Sequence, residues 1–576
     1  MEKEIKTAKT SADVRKESLT NFLSVSFIAV AVAIISSFLH IRLDLTEDHR
    51  YTLSKPTRKI LSNLEKDIYI QVWLDGEMPV QFKKLRRSVR ETLDEFRIAS
   101  GRKIDYEFIN PSDGKTQEER NRKYESLIAK GLNPVNIQSK DQEGGTVRKI
   151  IFPGMTINCN KSEIPVNFLK NDQTSSSDAN FLHSLEGIEY EIIKTVSTIT
   201  SDSIRKIVFI EGQNELNDLE VADATMALAN YYSVDRGKID GRLGVLSRYS
   251  AVIIAAPSLP FNEKDKLAID QYIMGGGKVL WLLNEVAVNE DSLRFGETVA
   301  MYRPLNIEDQ LFRYGVRINP VVLRDLDCVP IPMKVVSGGS GQLVPVPWIY
   351  YPLLTGSQQN PVTRNINRVV SKYPNYIDTV GRDPGISKSV LLSSSKYVNL
   401  LTPPAIISLK DADIKPVESQ FNHSFLPVAV GLSGKFESVF RNRLVESLVN
   451  DRNYRITETS VNTRMIVVSD GSIIRNDVRT NRGQLEPVTL GMDRYTGQVY
   501  GNKDFIVNCV NWLADDDGLL QLRSREMKMR LLDRQFIKDK RMILQALNVL
   551  LPLLLVIASG ILFNILRRKR YISTAR

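Results

Sequence analysis

Two uncharged apolar runs, one near each end of the chain, constrain this sequence more than any other feature. Phe22 to Ile41 covers 20 residues and Ile543 to Leu566 covers 24, and neither contains a formal charge with His neutral. At about 1.5 Å of rise per residue, each reaches across the roughly 30 Å of bilayer hydrocarbon. The first run is longer than a usual signal-peptide core, and no small-residue cleavage site follows it, so it reads as a retained span. With two spans, both termini share one side of the membrane. Arg567, Arg568, Lys569 and Arg570 follow the second run, and the positive-inside tendency places this flank, and so both termini, in the cytoplasm.

The charge distribution supports that division. The chain carries +10 overall, with residues 1–21 at +1, 523–541 at +5 and 567–576 at +5, leaving 42–522 at −1. A phosphate-reading protein spreads its excess base over a folded surface. Here the base sits where lipid headgroups would be, so nucleic acid is not an expected partner. Three cysteines, at 159, 328 and 509, are too few and too far apart for a disulfide framework or a zinc site.

The segment 42–541 is long enough for several domains. Ser54 and Pro56 ahead of a periodic apolar stretch predict a helix start. A strand at 68–74, a helix over 83–99 and a strand at 104–109 form a βαβ unit. Strand-like runs at 147–158 and 163–168 are placed to close its sheet as a hairpin, and 185–199 reads as a helix leading out. Strands at 204–210, 249–256 and 278–283 alternate with helical patterns beginning near 221 and 262, the signature of a doubly wound parallel sheet. Asn217 and Glu220 have the spacing of a capping box. Frequent Pro and Gly over 328–361 and 381–385 predict a long irregular section. Short strands are expected at 390–394, 405–409, 428–432 and 465–468, then a helix at 504–513 and a basic helix at 523–541. The expected fold class is α/β: a multidomain extracytoplasmic body with a doubly wound, flavodoxin-like domain and an N-terminal thioredoxin-like βαβ domain, flanked by two transmembrane helices. The expected divisions are 42–200, 201–335 and 336–522, the last partly completing the preceding sheet.

Open parallel sheets bind ligands beyond the carboxyl ends of their strands. The candidates there are Glu211, Gly212, Gln213 and Asn214 after the first strand, Pro257 and Ser258 after the second, and Asn284 with Glu285 after the third. Catalysis is not expected. No cysteine falls between Cys159 and Cys328 to act as a nucleophile, the four histidines are scattered, and no P-loop, Gly-x-Ser-x-Gly or His-Glu-x-x-His motif occurs. The triple glycine at 275–277 follows a helix and reads as a turn. Asp515-Asp516-Asp517-Gly518 lacks the alternating oxygen ligands of a calcium loop. No cofactor and no metal site is expected.

Arg42-Leu43-Asp44-Leu45-Thr46-Glu47-Asp48 with Arg50-Tyr51-Thr52-Leu53-Ser54 resembles the opening of the GldG family of gliding-motility ABC transporter auxiliary proteins. Tyr314 to Pro320, Asp493 to Gly497, Tyr500 to Phe505 and Leu522 to Glu526 resemble the same family, in the same order, from about residue 42 to 534. The resemblance implies an ABC system with a separate permease and a separate ATPase as partners. It also implies a GIFT-type, flavodoxin-like domain that fits 204–283. No ligand site is carried over by it. The expected function is a non-catalytic membrane-anchored auxiliary subunit in the bacterial inner membrane, with its large body in the periplasm. A membrane-tethered solute-binding protein and a degenerate amidotransferase-like hydrolase are the alternatives.

Overall fold

The computed structural model describes residues 52–514, apart from 115, 141–145, 161, 170–176, 202–203, 338–339, 382–383, 414–415, 444–454 and 482; it also describes 540–572, and 19–31 except 21 and 29. The chain divides into two compact units, Met1–Arg525 and Glu526–Arg576.

The first unit is mixed α/β. Its N-terminal part begins at helix Lys55–Ser62, where the Ser54 hydroxyl caps the Thr57 N–H and Pro56 occupies the first turn. Strands Ile68–Val72 and Ile104–Phe108 pair in parallel, connected by helix Val80–Ala99, which buries Phe82, Leu85, Val89, Leu93 and Phe96 on one face. Gly154–Cys159 adds antiparallel to the first strand and turns back into Ser162–Asn167. The expected run 147–158 therefore splits, since Thr146–Ile151 belongs to a separate hairpin with Val135–Lys140. The expected 185–199 helix is likewise two helices, Ser177–Glu186 and Ile188–Thr200, broken at Gly187.

The main sheet has a five-stranded parallel portion in the order Ser233–Lys238, Lys206–Glu211, Ala251–Ala255, Val279–Leu282, Thr463–Val468. Counted along the chain, that order is 2-1-3-4-5. Antiparallel strands Pro427–Gly434, Ile386–Ser393 and Ser340–Gly356 extend it, and Cys328–Ser337 forms the far edge. Both faces of the parallel portion are covered, so all but its edge strand Ser233–Lys238 carry buried apolar runs, as parallel sheets require. Ile207, Phe209, Leu280 and Ile466 join a core that includes helices Ala222–Ala229 and Asn502–Ala514. Their sequence neighbours Val208, Trp281 and Val467 join a second core beneath helix Glu263–Met274. The first core runs without a break into the N-terminal part.

Two regions depart from expectation. Strand Ser233–Lys238 occupies the sheet edge where its polar sequence gave no strand signal. The segment expected to be irregular is instead a long hairpin, Cys328–Ser337 against Ser340–Gly356. Its prolines face one another, Pro330 opposite Pro347 and Pro332 opposite Pro345. Opposed residues can lack N–H groups where the register places a non-hydrogen-bonded pair.

The second unit contains helix Arg541–Ile572, with Pro552 inside it. Its segment Arg541–Leu566 is long and apolar enough to cross a bilayer. Residues 567–570 fall in its last turns. In the first apolar run, residues 22–28 and 30–31 are helical, while 32–41 lie outside the described residues, as does the basic stretch 523–539.

Candidate functional site

The crevice expected to hold a ligand lies where strands Lys206–Glu211 and Ala251–Ala255 adjoin, because their connections leave toward opposite sides of the sheet. The structure brings Glu211, Gly212, Gln213, Asn214, Pro257 and Ser258 to this place. It also bonds them to one another. The Gln213 carbonyl accepts from the Ser258 and Leu259 N–H groups at 2.9 and 3.0 Å, and the Leu216 N–H donates to the Ala255 carbonyl at 3.0 Å. Asn214, left-handed at φ 55°, donates from Nδ2 to the Ser258 hydroxyl. Gln213 is 5% exposed and donates from Nε2 to Asp265 at 3.0 Å, near the start of helix Glu263–Met274. Arg236 holds Glu211 and Asp218, each at 2.8 Å, and donates to the Leu216 carbonyl. Gly212, at φ 136°, supplies a backbone angle that L residues rarely adopt. The two loops are thus stitched across the crevice.

Three buried polar atoms there have no hydrogen-bond partner: Gln213 Oε1, Glu215 Oε1 and Arg236 Nη1. Burial raises the Glu215 carboxyl above its ordinary value, although the N–H groups of Gly212, Gln213 and Glu215 pull the other way. Those donors steady the loop.

Asn284 and Glu285 sit elsewhere, beyond Val279–Leu282 and beside the end of Thr463–Val468. The Asn284 carbonyl oxygen accepts the Gly471 N–H at 2.7 Å, and its Nδ2 reaches Asp470 at 3.4 Å. Asp470 accepts from the Ser371 and Ser472 hydroxyls and from the Lys372 and Ser472 N–H groups. Gly471 permits the close approach: a Cβ there would lie 2.4 Å from that of Ala256. Glu285 is 4% exposed. Burial first, then the Glu308 charge, pushes its pKa up to about 8, against a smaller opposing effect of Arg317. Asn284 is therefore a brace between strand ends, and Glu285 a buried acid.

The open space lies beside these residues. A cleft of about 840 Å³ is bounded by 217–220, by 472–478 and by one end of the long hairpin. Lys372 Nζ stands 5.3 Å from the Tyr351 ring centroid and 3.9 and 4.0 Å from Glu290 and Asp477. Arg475 pairs with Glu220 at 2.7 Å and Arg494 with Asp477 at 3.1 Å. The Tyr351 hydroxyl donates to Glu290 at 2.8 Å. This mixed-charge wall with aromatic faces suits a zwitterionic or polar occupant. Sequence reasoning missed most of these residues because they lie in elements of ordinary composition, far from one another in sequence. Arg494 was noted within a family-like stretch, and Asn217 and Glu220 as a capping pair; those two do exchange reciprocal bonds. The helix they precede begins later, at Ala222.

The chemistry of the thiols is unreactive. Cys159 and Cys509 are buried and all three are unbonded. Burial pushes Cys328 up to about 12 and Cys509 well above its usual value, leaving neither as a thiolate at neutral pH. Among the described residues, no group of three His, Cys, Asp or Glu side chains is placed to hold a metal.

Comparison with known proteins gives two family matches. Residues 205–509 match a family described as "ABC-type uncharacterized transport system", and 47–158 match a domain of unknown function, DUF7088. No curated protein matches. Among solved structures, "mmIFT52 N-terminal domain" aligns at 13% identity over 54% of this chain and 96% of that one, with a TM-score of 0.30. "Exo-beta-1,4-mannosidase Op5Man5 from Opitutaceae bacterium strain TAV5" aligns at 11% identity over 58% and 46%, with a TM-score of 0.17. At such TM-scores neither likeness informs the fold or the chemistry. The first family model spans more than half of the chain and most of the large sheet, and this protein belongs to that family of ABC transporter auxiliary proteins.

Proposed function

We propose that this chain is a non-catalytic, membrane-anchored auxiliary subunit of an ABC transporter in gliding motility, coupling a permease and an ATPase to extracytoplasmic partners. Family membership carries this reading. The stitched crevice between strands Lys206–Glu211 and Ala251–Ala255 supports it, since that position in an open sheet ordinarily receives the ligand. The 2-1-3-4-5 strand order favours a flavodoxin-like, GIFT-type unit. The βαβ pair closed by an antiparallel hairpin favours a thioredoxin-like N-terminal domain without a reacting cysteine pair. We place the protein in the bacterial inner membrane with two spans, cytoplasmic termini and a periplasmic body. Affinity purification of the full chain from detergent-solubilised membranes tests the assignment. An ABC permease and its ATPase are expected to be retained, and their absence across several mild detergents would contradict it.

A second reading, a tethered solute-binding protein, is favoured by one observation: the cleft of about 840 Å³ falls within the usual size range of ligand pockets. Thermal-shift screening of the full chain against zwitterionic solutes tests it, with Lys372→Ala as control. Stabilisation lost in that variant would support the reading, and no stabilisation by any solute would remove it.

A further inference from the structure

The amino ends of the strands gather a set of residues that the carboxyl-end cleft does not involve. Helix Lys55–Ser62 buries Thr57 and Leu61 and turns Lys55, Arg58 and Lys59 outward. These three sit at i, i+3 and i+4, on one face. The helix has no acidic residue, and no ion pair joins the three cations to another described residue. Hydrogen bonds tie the segment just after this helix to the elements around it. Lys103 Nζ donates to the Leu64 carbonyl at 2.6 Å, and Lys66 Nζ to the Thr200 carbonyl at 2.9 Å. Arg205, just before the first strand of the main sheet, donates to the carbonyl of Ala514, the last residue of helix Asn502–Ala514. Helix Lys55–Ser62 and the end of helix Asn502–Ala514 therefore lie at the same, amino-end pole.

The tether is short on the entry side. Residues 42–54 separate the first apolar run from the helix, and a fully extended link of that length reaches about 45 Å. A compact body of this size is about 60 Å across by the usual scaling. A link of 45 Å cannot carry the chain past such a body, so the pole at Lys55 must stay near the bilayer. The body has a second basic surface, Lys83, Lys84, Arg87 and Arg90, all exposed on helix Val80–Ala99. That helix starts beyond the carboxyl end of strand Ile68–Val72, so this surface begins at the opposite pole.

We infer that the cationic face of helix Lys55–Ser62 lies on anionic lipid headgroups, making the amino-end pole the membrane face of the body and turning the cleft beside Lys372 away from the bilayer. Lysines and arginines near an anionic surface are attracted within a Debye length. This inference rests on the proposed retention of the first span.

Acylation footprinting of the full chain, reconstituted with its body outside the vesicles, tests the inference. A membrane-impermeant amine reagent is applied to phosphatidylglycerol-rich and to pure phosphatidylcholine vesicles, and modification is read by mass spectrometry. Lys55 and Lys59 should be labelled at least about threefold more slowly on the anionic vesicles, with high salt removing the difference. Lys83 and Lys84 should be labelled equally on both. Arg58→Glu should shrink the protection of Lys55 and Lys59 without altering labelling of Lys83. Lys3, Lys6 and Lys9 report the first span separately. If the reagent reaches them, the two-span reading fails. If they stay protected while Lys55 and Lys59 are indifferent to lipid, or while Lys83 and Lys84 are protected instead, the headgroup contact is wrong.

Discussion

Asp470 is wholly buried, yet two hydroxyls and two backbone N–H groups converge on its carboxylate. Removing an acceptor that serves several buried donors leaves each of them desolvated and unpaired. Asp470→Ala is expected to lower stability by about 3 kcal/mol, read as a depressed unfolding midpoint of the full chain in detergent. Glu285 gives a pH dependence of definite sign. Its folded pKa of about 8 lies above the ordinary 4.5, so the folded state holds a proton that the unfolded state has released. Its contribution is therefore fully favourable below about pH 4.5 and is lost as pH rises toward 8, at no more than about 1.4 kcal/mol per pH unit. Thermal melts should fall between pH 5 and 8 for the native chain and fall less for Glu285→Gln. An equal slope in both would contradict the burial argument. At this scale the sequence was partly legible. Asn284 and Glu285 follow an apolar strand, which marks them as sheet-end residues. Lys372, Arg475 and Asp477 do not, because only the tertiary fold brings them to one cleft.

At the scale of elements, legibility followed the hydrophobic pattern. Four of the five parallel strands carry buried apolar runs because helices cover both faces, and this signal located three of them, with Met465 to Val468 found as the fourth. Ser233–Lys238 was missed since an edge strand can be polar. The 328–356 hairpin was misread because proline ordinarily argues against a strand. Here Pro330 and Pro332 lie on the far edge strand of the sheet, opposite Pro347 and Pro345. Where their absent N–H groups would point outward, the edge is protected from pairing with another chain. Replacing Pro330 and Pro332 by Val should therefore promote self-association through that edge, measured by sedimentation velocity against the native chain. A variant that sediments like the native protein would show that the prolines have no such protective effect.

At the scale of the whole molecule, the second apolar run was legible as a helix able to cross a bilayer. Helix Arg541–Leu566 fits the second run, and residues 42–522 are nearly neutral. What the sequence left open was the place of the cavity. The expected crevice is bridged by the 212–216 loop bonding to 255–259, and a cleft of about 840 Å³ lies beyond the neighbouring strand ends. Because the loop is held through the Gln213–Asp265 contact as well, Gln213→Ala should leave subunit association intact while lowering the melting temperature by a few degrees, about 1 kcal/mol. Loss of association at unchanged stability would instead make the loop a partner site.

An auxiliary subunit of the proposed kind should act only through its complex. The most direct measurement is ATP turnover by the purified permease–ATPase pair in proteoliposomes, with and without the full chain. No turnover by this chain alone is expected, and a severalfold change in the rate of the pair when it is present. A chain that hydrolyses ATP by itself, or that binds the pair and leaves its turnover unchanged, would contradict the account.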